Sequence, residues 1–268
     1  MKIGVFDSGL GGLAILKEII KVMPNYDYVY LGDNARVPYG GRSPEIIYQF
    51  TKEAVDFLFN KNCKLIILAC NSATSTSLRK IQKEYLPKKW PDRKVLGVIR
   101  PAVEKIAELD SKKVGIIGTH ATINSKSFVL EIKKLSPMTQ VFQNPAPLLV
   151  PIIEEGEIDW QGTEMILKKY LGLLTTKKID TLILGCTHYG LMVEKIKKVI
   201  GSKIRVVTEG KEVAVKLRKY LNKHKEIEIV LSKKGNKKYY VTDLNERYKK
   251  MTELFMNGVL LAYGSSWR

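Results

Sequence analysis

The chain has 268 residues, of which 45% are hydrophobic and 10 are proline, and its formal net charge is +18. This length is sufficient for one large domain or two smaller ones with their own cores, and the composition excludes a disordered protein. A surplus of 45 Lys and Arg over 27 Asp and Glu raises the question of a nucleic-acid partner.

The positive charge is spread over lysine-rich segments such as EKIKKVIG, VAVKLRKYLNKHK and KKGNKKYY. Such segments are typical of solvated helix faces, and no zinc finger, helix-turn-helix or aromatic RNA-binding pattern accompanies them. We therefore expect at most nonspecific, salt-sensitive nucleic-acid binding. A basic nucleic-acid-binding or regulatory protein remains the alternative of another functional class.

The N-terminus and the cysteine count predict the compartment. MKIGVFDSG turns polar after too few apolar residues for a signal-peptide core. No apolar run reaches the roughly 18 residues that a membrane-spanning helix needs. The three cysteines, Cys63, Cys70 and Cys186, are too few for a disulfide framework, and the three histidines are scattered. We predict a cytoplasmic protein with free thiols, no metal site and no membrane association.

Apolar, β-branched segments predict strands, and segments with helical spacing lie between them. In chain order the predicted strands are 2–6, 27–31, 64–69, 94–99, 113–118, 180–185 and 203–207. One predicted helix begins after Ser43, with Pro44 at its first position and one apolar stripe along its length. The alternation predicts an α/β fold with mostly parallel sheets.

Changes in composition suggest two domains. The turn KKWPDRK interrupts the alternation, which restarts after it, and the composition changes again near residue 208. We predict a first α/β domain formed by 1–93 plus 208–268 and a second formed by 94–207. Because each half has a strand that ends in a cysteine, the domains are predicted to be similar, with the active site in the cleft between them.

Cys70 and Cys186 occupy matching positions, in LIILACNSAT and LILGCTHYG. Ligands of open parallel sheets bind beyond the carboxyl ends of the strands. A helical segment follows each cysteine, so we expect each thiol near a helix N-terminus, where its pKa falls and the reactive thiolate is favoured. Cys63 lacks polar neighbours and is interpreted as a core residue.

Two glycine-containing loops follow the first two predicted strands. In DSGLGG (7–12), the glycines allow backbone amides to approach a small anion such as a carboxylate. Asp7 suits an ammonium group or proton transfer, or else it only caps the next helix. The turn in GDNARVPYGGRS (32–43) offers a second set of free amides. With no GxGxxG and no P-loop pattern, these loops favour a ligand bearing carboxylate and ammonium groups, held between two thiols.

Seven motifs resemble those of the glutamate racemases, in the aspartate/glutamate racemase superfamily. They are FDSGLGG, GDNARVPYG, ACNSAT, GVIRPA, GTHATINS, PLLVPIIE and LGCTHYG, and they extend from about residue 3 to Gly190. The resemblance implies cofactor-independent racemisation of L-glutamate to D-glutamate for peptidoglycan, by an enzyme that commonly forms a homodimer. It also implies that one cysteine thiolate removes the Cα proton while the opposite thiol reprotonates the other face.

The resemblance further implies roles for single residues. Cys70 is expected to act on D-glutamate and Cys186 on L-glutamate, while Asp7 and His188 assist the thiols and Glu154 lies near the second thiol. The residues expected to contact glutamate are Asp7, Ser8, Tyr39, Gly40, Asn71, Ser72, Thr119, Thr122, Thr187 and His188. No cofactor is expected.

Three positions depart from the family pattern. Ser72 stands where threonine is usual and keeps the hydroxyl, and Gly190 replaces a proline. Glu209 puts an unexpected charge near the interface between the domains. None of these departures removes a catalytic group.

Two further readings of the thiol pair stay open. The nearest one is an aspartate racemase, or a racemase with broad acidic specificity. Those relatives commonly have a Glu residue where this chain has His188, so His188 favours glutamate as the substrate. A dithiol redox protein is the other, and it would need both cysteines within disulfide reach, with Cα atoms less than about 7 Å apart.

Overall fold

The fold is built from two β-sheets, and a computed structural model describes residues 1–243 and Tyr248. Within these residues the strands are β1 (Lys2–Asp7), β2 (Tyr28–Gly32), β3 (Cys63–Leu68), β4 (Lys94–Gly97), β5 (Lys113–Gly118), β6 (Gln140–Pro145), β7 (Thr181–Gly185), β8 (Arg205–Val207) and β9 (Lys237–Val241). Sheet A has the order β4-β3-β1-β2-β9 and sheet B the order β6-β5-β7-β8. All these pairs are parallel, which confirms the predicted α/β class with two parallel-sheet domains.

Helices connect the strands and cover both sheets. They are α1 (Gly12–Val22), α2 (Pro44–Asn60), α3 (Asn71–Lys80), α4 (Leu86–Lys89), α5 (Ile99–Glu108), α6 (His120–Asn124), α7 (Ser127–Leu135), α8 (Leu149–Glu154), α9 (Gln161–Thr175), α10 (Val193–Ile200), α11 (Glu209–Lys223) and α12 (Lys225–Glu228). Short 3₁₀ turns lie at Asn34–Arg36, Tyr39–Gly41, Glu157–Asp159 and Thr187–Met192, and a π-helical turn at Ile81–Tyr85 joins α3 to α4. No described helix combines the length and the apolar character needed to cross a bilayer.

The central strands are buried on both faces, which explains why they read as continuous apolar runs. In β1, Ile3 and Val5 point into the core beneath α1 and α11, whereas Phe6 points into the core beneath α2. Equivalent cores lie on the two faces of sheet B. This packing fixes the strands, so the residues that follow their carboxyl ends are held at one edge of each sheet.

Helix α2 begins as predicted. Oγ of Ser43 accepts from the backbone N–H of Ile46 at 3.4 Å, and Pro44 occupies the first helical position. Most of the predicted apolar stripe faces the core, and Ala54 and Leu58 are fully buried. Ile46, in the first turn of the helix, is the exception, with 43% of its surface exposed.

Several boundaries differ from the prediction. The segment predicted as one strand over 94–99 ends at Gly97, and Ile99 already begins α5. β6 and β9 were not predicted, and β9 includes the lysine-rich KKYY segment that was interpreted as a solvated helix face. Tyr239 explains the difference, because it is buried at the edge of sheet A.

The domain division remains a prediction. β4, which the division assigns to 94–207, pairs with β3 in sheet A. Residues 244–247 and 249–268 of the predicted first domain lie outside the described residues.

Candidate active site

One cavity collects side chains from the carboxyl ends of both sheets. Ser8 follows β1, Cys70 lies two residues beyond β3, Thr119 follows β5 and Cys186 follows β7. The cavity is lined by Ser8, Val37, Pro38, Tyr39, Gly40, Cys70, Asn71, Ser72, Thr119, Val150, Cys186, Thr187 and His188. Both strand-end thiols therefore face the same space, and both are free.

Cys70 caps the N-terminus of α3 and is only 5% exposed. Its Sγ accepts weakly from the backbone N–H of Ala73 at 3.5 Å and donates to Oγ of Ser8 at 3.2 Å. The predicted position at a helix N-terminus is therefore confirmed for this thiol.

The predicted lowering of the Cys70 pKa is wrong. Burial, together with the negative charge of Asp7, raises the pKa of this thiol to about 12, although the contacts with Ser8 and Ala73 lower it. Desolvation of a thiolate outweighs a helix terminus when the sulfur is removed from water. Cys70 consequently rests as a thiol, the form that donates a proton.

Cys186 has a different environment. It is the N-cap residue of the 3₁₀ helix Thr187–Met192, which leads directly into α10 at Val193, but its side chain makes no capping hydrogen bond. The predicted position near a helix N-terminus is therefore confirmed for this thiol, with a 3₁₀ helix as the first turn. Its Sγ lies 3.8 Å from Nδ1 of His188, and Nε2 of His188 lies 3.1 Å from Oε1 of Glu154.

His188 supplies positive charge beside Cys186. Burial lowers the pKa of the imidazole, but hydrogen bonds and charge interactions with Cys186 and Glu154 outweigh burial and raise that pKa to about 10. The imidazole is therefore protonated at neutral pH. An imidazolium next to a cysteine sulfur favours the thiolate.

Asp7 links the two halves of the site. Its side chain is fully buried, accepts from the backbone N–H of Gly9 at 3.1 Å and accepts from Oγ1 of Thr187 at 3.4 Å. Burial raises the pKa of this carboxyl, while the charge of His188 and the N–H groups of Gly12 and Gly9 lower it. The cap position of α1 is Gly11, so Asp7 is not the N-cap residue that the alternative reading required.

Hydroxyl groups from the segments that follow β3 and β5 form hydrogen bonds between the two halves of the site. Oγ of Ser72 lies 2.9 Å from Oγ1 of Thr119, which in turn donates to Oγ1 of Thr122 at 3.1 Å. The loop at Gly40 packs so closely that a Cβ there would lie 2.6 Å from Cγ2 of Thr119. Tyr39 is held by donating its hydroxyl to Asp33.

Most of the predicted site residues line the cavity. Three do not and instead lie behind it: Asp7 contacts Thr187, Thr122 contacts Thr119, and Glu154 contacts His188. Direct contact of glutamate with Asp7 and Thr122 stays a prediction. Among the described residues no three His, Cys, Asp or Glu side chains are grouped so that they could hold a metal ion.

The apolar part of the lining was not predicted. Val37 and Val150 face the cavity from the loop before Pro38 and from α8. Both lie inside segments that were recognised as motifs, but an isolated valine carries no chemical signal that distinguishes lining from core.

Comparisons with known proteins agree with this geometry. A family model described as Asp/Glu/Hydantoin racemase matches residues 3–217. The chain is 40% identical to the glutamate racemase of Persephonella marina, over 95% of this chain and 93% of that protein. The crystal structure of glutamate racemase from Francisella tularensis in complex with D-glutamate aligns with a TM-score of 0.89 and 34% identity, over 99% of this chain and 97% of that chain. Because the likeness covers both sheets and nearly the whole sequence, the chain belongs to the Asp/Glu/Hydantoin racemase family and, within it, to the glutamate racemases, which are isomerases.

Proposed function

We propose that the protein interconverts L-glutamate and D-glutamate without a cofactor, with Cys70 and Cys186 acting on opposite faces of the substrate. The observation that carries the proposal is that these two thiols, from the strand ends of different sheets, line one cavity. Racemisation runs in both directions, so it needs two comparable acid/base groups. A parallel sheet on each side of the cavity supplies one each.

The environments of the two thiols suit the conversion of the L-enantiomer. Protonated His188 places a positive charge beside Cys186, whereas burial keeps Cys70 as a thiol. Cys186 then removes the Cα proton, and Cys70 gives its own proton to the opposite face. The reaction leaves a thiol at Cys186 and a thiolate at Cys70, the state from which D-glutamate reacts.

Neighbouring groups support this chemistry. A carbon acid as weak as an amino acid loses its proton only if the site stabilises the negative charge that develops on the substrate. The hydroxyls of Ser8, Ser72, Thr119 and Thr187 surround the cavity, and the imidazolium of His188 adds a positive charge. We propose these as the groups that bind glutamate and its carbanionic transition state, with Asp7 and Glu154 positioning Thr187 and His188.

We expect purified protein to racemise L-glutamate after dialysis against a chelator and treatment with a carbonyl reagent. The circular dichroism signal of L-glutamate should decay to zero, because the equilibrium mixture of enantiomers is optically inactive. Loss of activity after either treatment would contradict the metal-free, pyridoxal-free mechanism. Parallel assays with L-aspartate test the alternative substrate, and faster decay with aspartate would favour it.

The remaining expectations stay proposals. We propose a cytoplasmic homodimer that supplies D-glutamate for peptidoglycan. The glutamate racemase of Escherichia coli, solved with L-glutamate and the activator UDP-MurNAc-ala, shares only 24% identity with this chain and is informative about the fold alone.

The surplus of lysine gives a separate expectation for nucleic acid. If the net charge of +18 is a solvated surface, duplex DNA should bind weakly and should dissociate steeply as salt is added, because such affinity comes from counterion release. Fluorescence anisotropy of labelled duplexes over a salt series measures this slope. A complex that depends on sequence and survives physiological salt would support the nucleic-acid-binding alternative.

A further inference from the structure

Glu209 is a buried acid next to the proposed active site. It is the first residue of α11 and is only 3% exposed, although the sequence led us to expect a charge there. Its Oε2 accepts from Nδ2 of Asn71 at 2.7 Å. Asn71 is the first residue of α3, directly follows Cys70 and lines the cavity.

The hydrogen bonding of this pair is incomplete if Glu209 is ionised. Oε1 of Glu209 and Oδ1 of Asn71 are both buried and have no hydrogen-bond partner within the described residues. Both are acceptors when the carboxyl is charged, so neither can satisfy the other. A proton on Oε1 turns one of them into a donor, and the acid and the amide can then form two antiparallel hydrogen bonds.

The charges around Glu209 favour that proton. Burial raises the pKa of this carboxyl well above its ordinary value, and the nearby charge of Asp7 raises it further, while the hydrogen bond from Asn71 lowers it. From α1, Glu18 approaches the adjacent Gly210. Lys105 of α5 forms ion pairs with Glu108 and Glu212, and Lys216 of α11 forms ion pairs with Glu104 and Glu108. No cation among the described residues forms an ion pair with Glu209.

We propose that Glu209 is a protonated positioning residue, whose carboxylic acid pairs with the side-chain amide of Asn71 and fixes that amide toward the cavity. The pair uses one hydrogen of Nδ2 and leaves the other free to donate. A donor next to Cys70 suits a carboxylate oxygen of the substrate. This part of the inference rests on the proposed racemase function, whereas the protonation of Glu209 does not.

Kinetics of two variants test the positioning role. In Glu209→Gln the amide offers one acceptor and one donor to Asn71, so kcat and KM should stay within about twofold of wild type. In Glu209→Leu both partners of Asn71 are lost, and we expect KM for glutamate to rise about tenfold or more, which corresponds to the loss of one substrate hydrogen bond. Glu212→Gln, on the same helix but paired with Lys105, is the matched control and should leave both constants unchanged.

The positioning role would be overturned if Glu209→Leu kept the wild-type KM for glutamate, or if Glu209→Gln and Glu209→Leu raised that KM equally. If Glu209→Leu fails to fold, Glu209→Gln still decides, because a large rise in its KM contradicts a neutral pair.

Urea unfolding tests the protonation without any use of activity. An acid whose pKa is raised by folding makes the folded state bind a proton that the unfolded chain releases above about pH 4.5. Its contribution to the stability of the folded state therefore falls as pH rises, and Glu209→Gln removes this dependence. The urea midpoint of Glu209→Gln should exceed that of wild type by a margin that grows from about pH 5.5 to about pH 8.5.

Asp7 and Cys70 also have raised pKa values, but they are present in both proteins and cancel in the difference. A margin that does not change with pH would show that Glu209 is ionised in the folded protein and would overturn the proposal. An inactive protein with a margin that grows with pH would instead contradict the racemase function alone.

Discussion

Replacing either Cys70 or Cys186 by serine is expected to reduce glutamate racemisation at least about a thousandfold in both directions. Each direction needs one base and one acid, and a serine hydroxyl is a far weaker acid and base than a thiol. The two enantiomers have equal free energy, so kcat/KM for L-glutamate and D-glutamate must fall together in any variant. Circular dichroism, started from each enantiomer in turn, measures both values.

The single variants should nevertheless differ in a reaction that uses only one face. A glutamate with chloride at Cβ can lose the Cα proton to one base and expel chloride, and the resulting enamine hydrolyses to 2-oxoglutarate and ammonium. Cys70→Ser keeps Cys186 and should process the L-form, whereas Cys186→Ser keeps Cys70 and should process the D-form. Release of 2-oxoglutarate measures each rate.

Cys63 provides the matched control for these variants. It is a third buried thiol, in β3, and does not line the cavity. Burial raises its pKa to about 12. Because Cys63 does not line the cavity, Cys63→Ala should keep wild-type racemisation, even though it removes a sulfur from the core. If Cys186→Ser kept wild-type activity, LILGCTHYG would be only the end of a core strand, and the two-base mechanism would be wrong.

The strands that carry the site could be predicted from the sequence because they are buried on both faces. β1, β3, β5 and β7 each lie within, or within one residue of, a predicted apolar run. A residue that follows such a run lies at the carboxyl edge of the sheet whatever the order of the strands. For that reason Cys70 and Cys186 could be placed before any tertiary contact was known.

Two of the four edge strands, and the order of the strands, were beyond the sequence. β6 and β9 lie at sheet edges, where part of each strand is exposed, so the apolar pattern is weak and β9 begins with two lysines. The pairing of Tyr28 with Lys237 joins residues that are far apart in the chain. Such register is decided by packing, for which a single sequence carries no local signal.

The protonation states of the site were also beyond the sequence, for a related reason. A helix N-terminus after Cys70 can be recognised from local pattern, but the depth of burial and the approach of Asp7 from β1 cannot. The pairing of Asn71 with Glu209 bridges 138 positions. An acid at a helix start stabilises the helix dipole, but local pattern does not reveal the burial that raises the pKa of Glu209 in the folded chain.

Substitution of Gly11, the N-cap residue of α1, should have a second large effect. The backbone of Gly11 lies close to Thr187 and His188, which follow Cys186. A Cβ on Gly11 would lie 2.8 Å from Nδ1 of His188 and 2.9 Å from Cβ of Thr187, so at least one of these side chains must move. The backbone of Gly11 has φ −57° and ψ −32°, a conformation that alanine adopts freely. A loss of activity in Gly11→Ala would therefore come from the contact and not from backbone strain.

We expect Gly11→Ala to lower kcat/KM about a hundredfold, the usual consequence of displacing a catalytic group by about 1 Å. Overpacking should also reduce the free energy of unfolding by about 1–3 kcal/mol, which urea denaturation measures. The matched control is Gly190→Ala, two residues beyond His188, where an added Cβ meets nothing within 4 Å. That variant should keep its activity and its stability. Equal activity of both alanine variants would show that the position of His188 beside Cys186 does not limit the reaction.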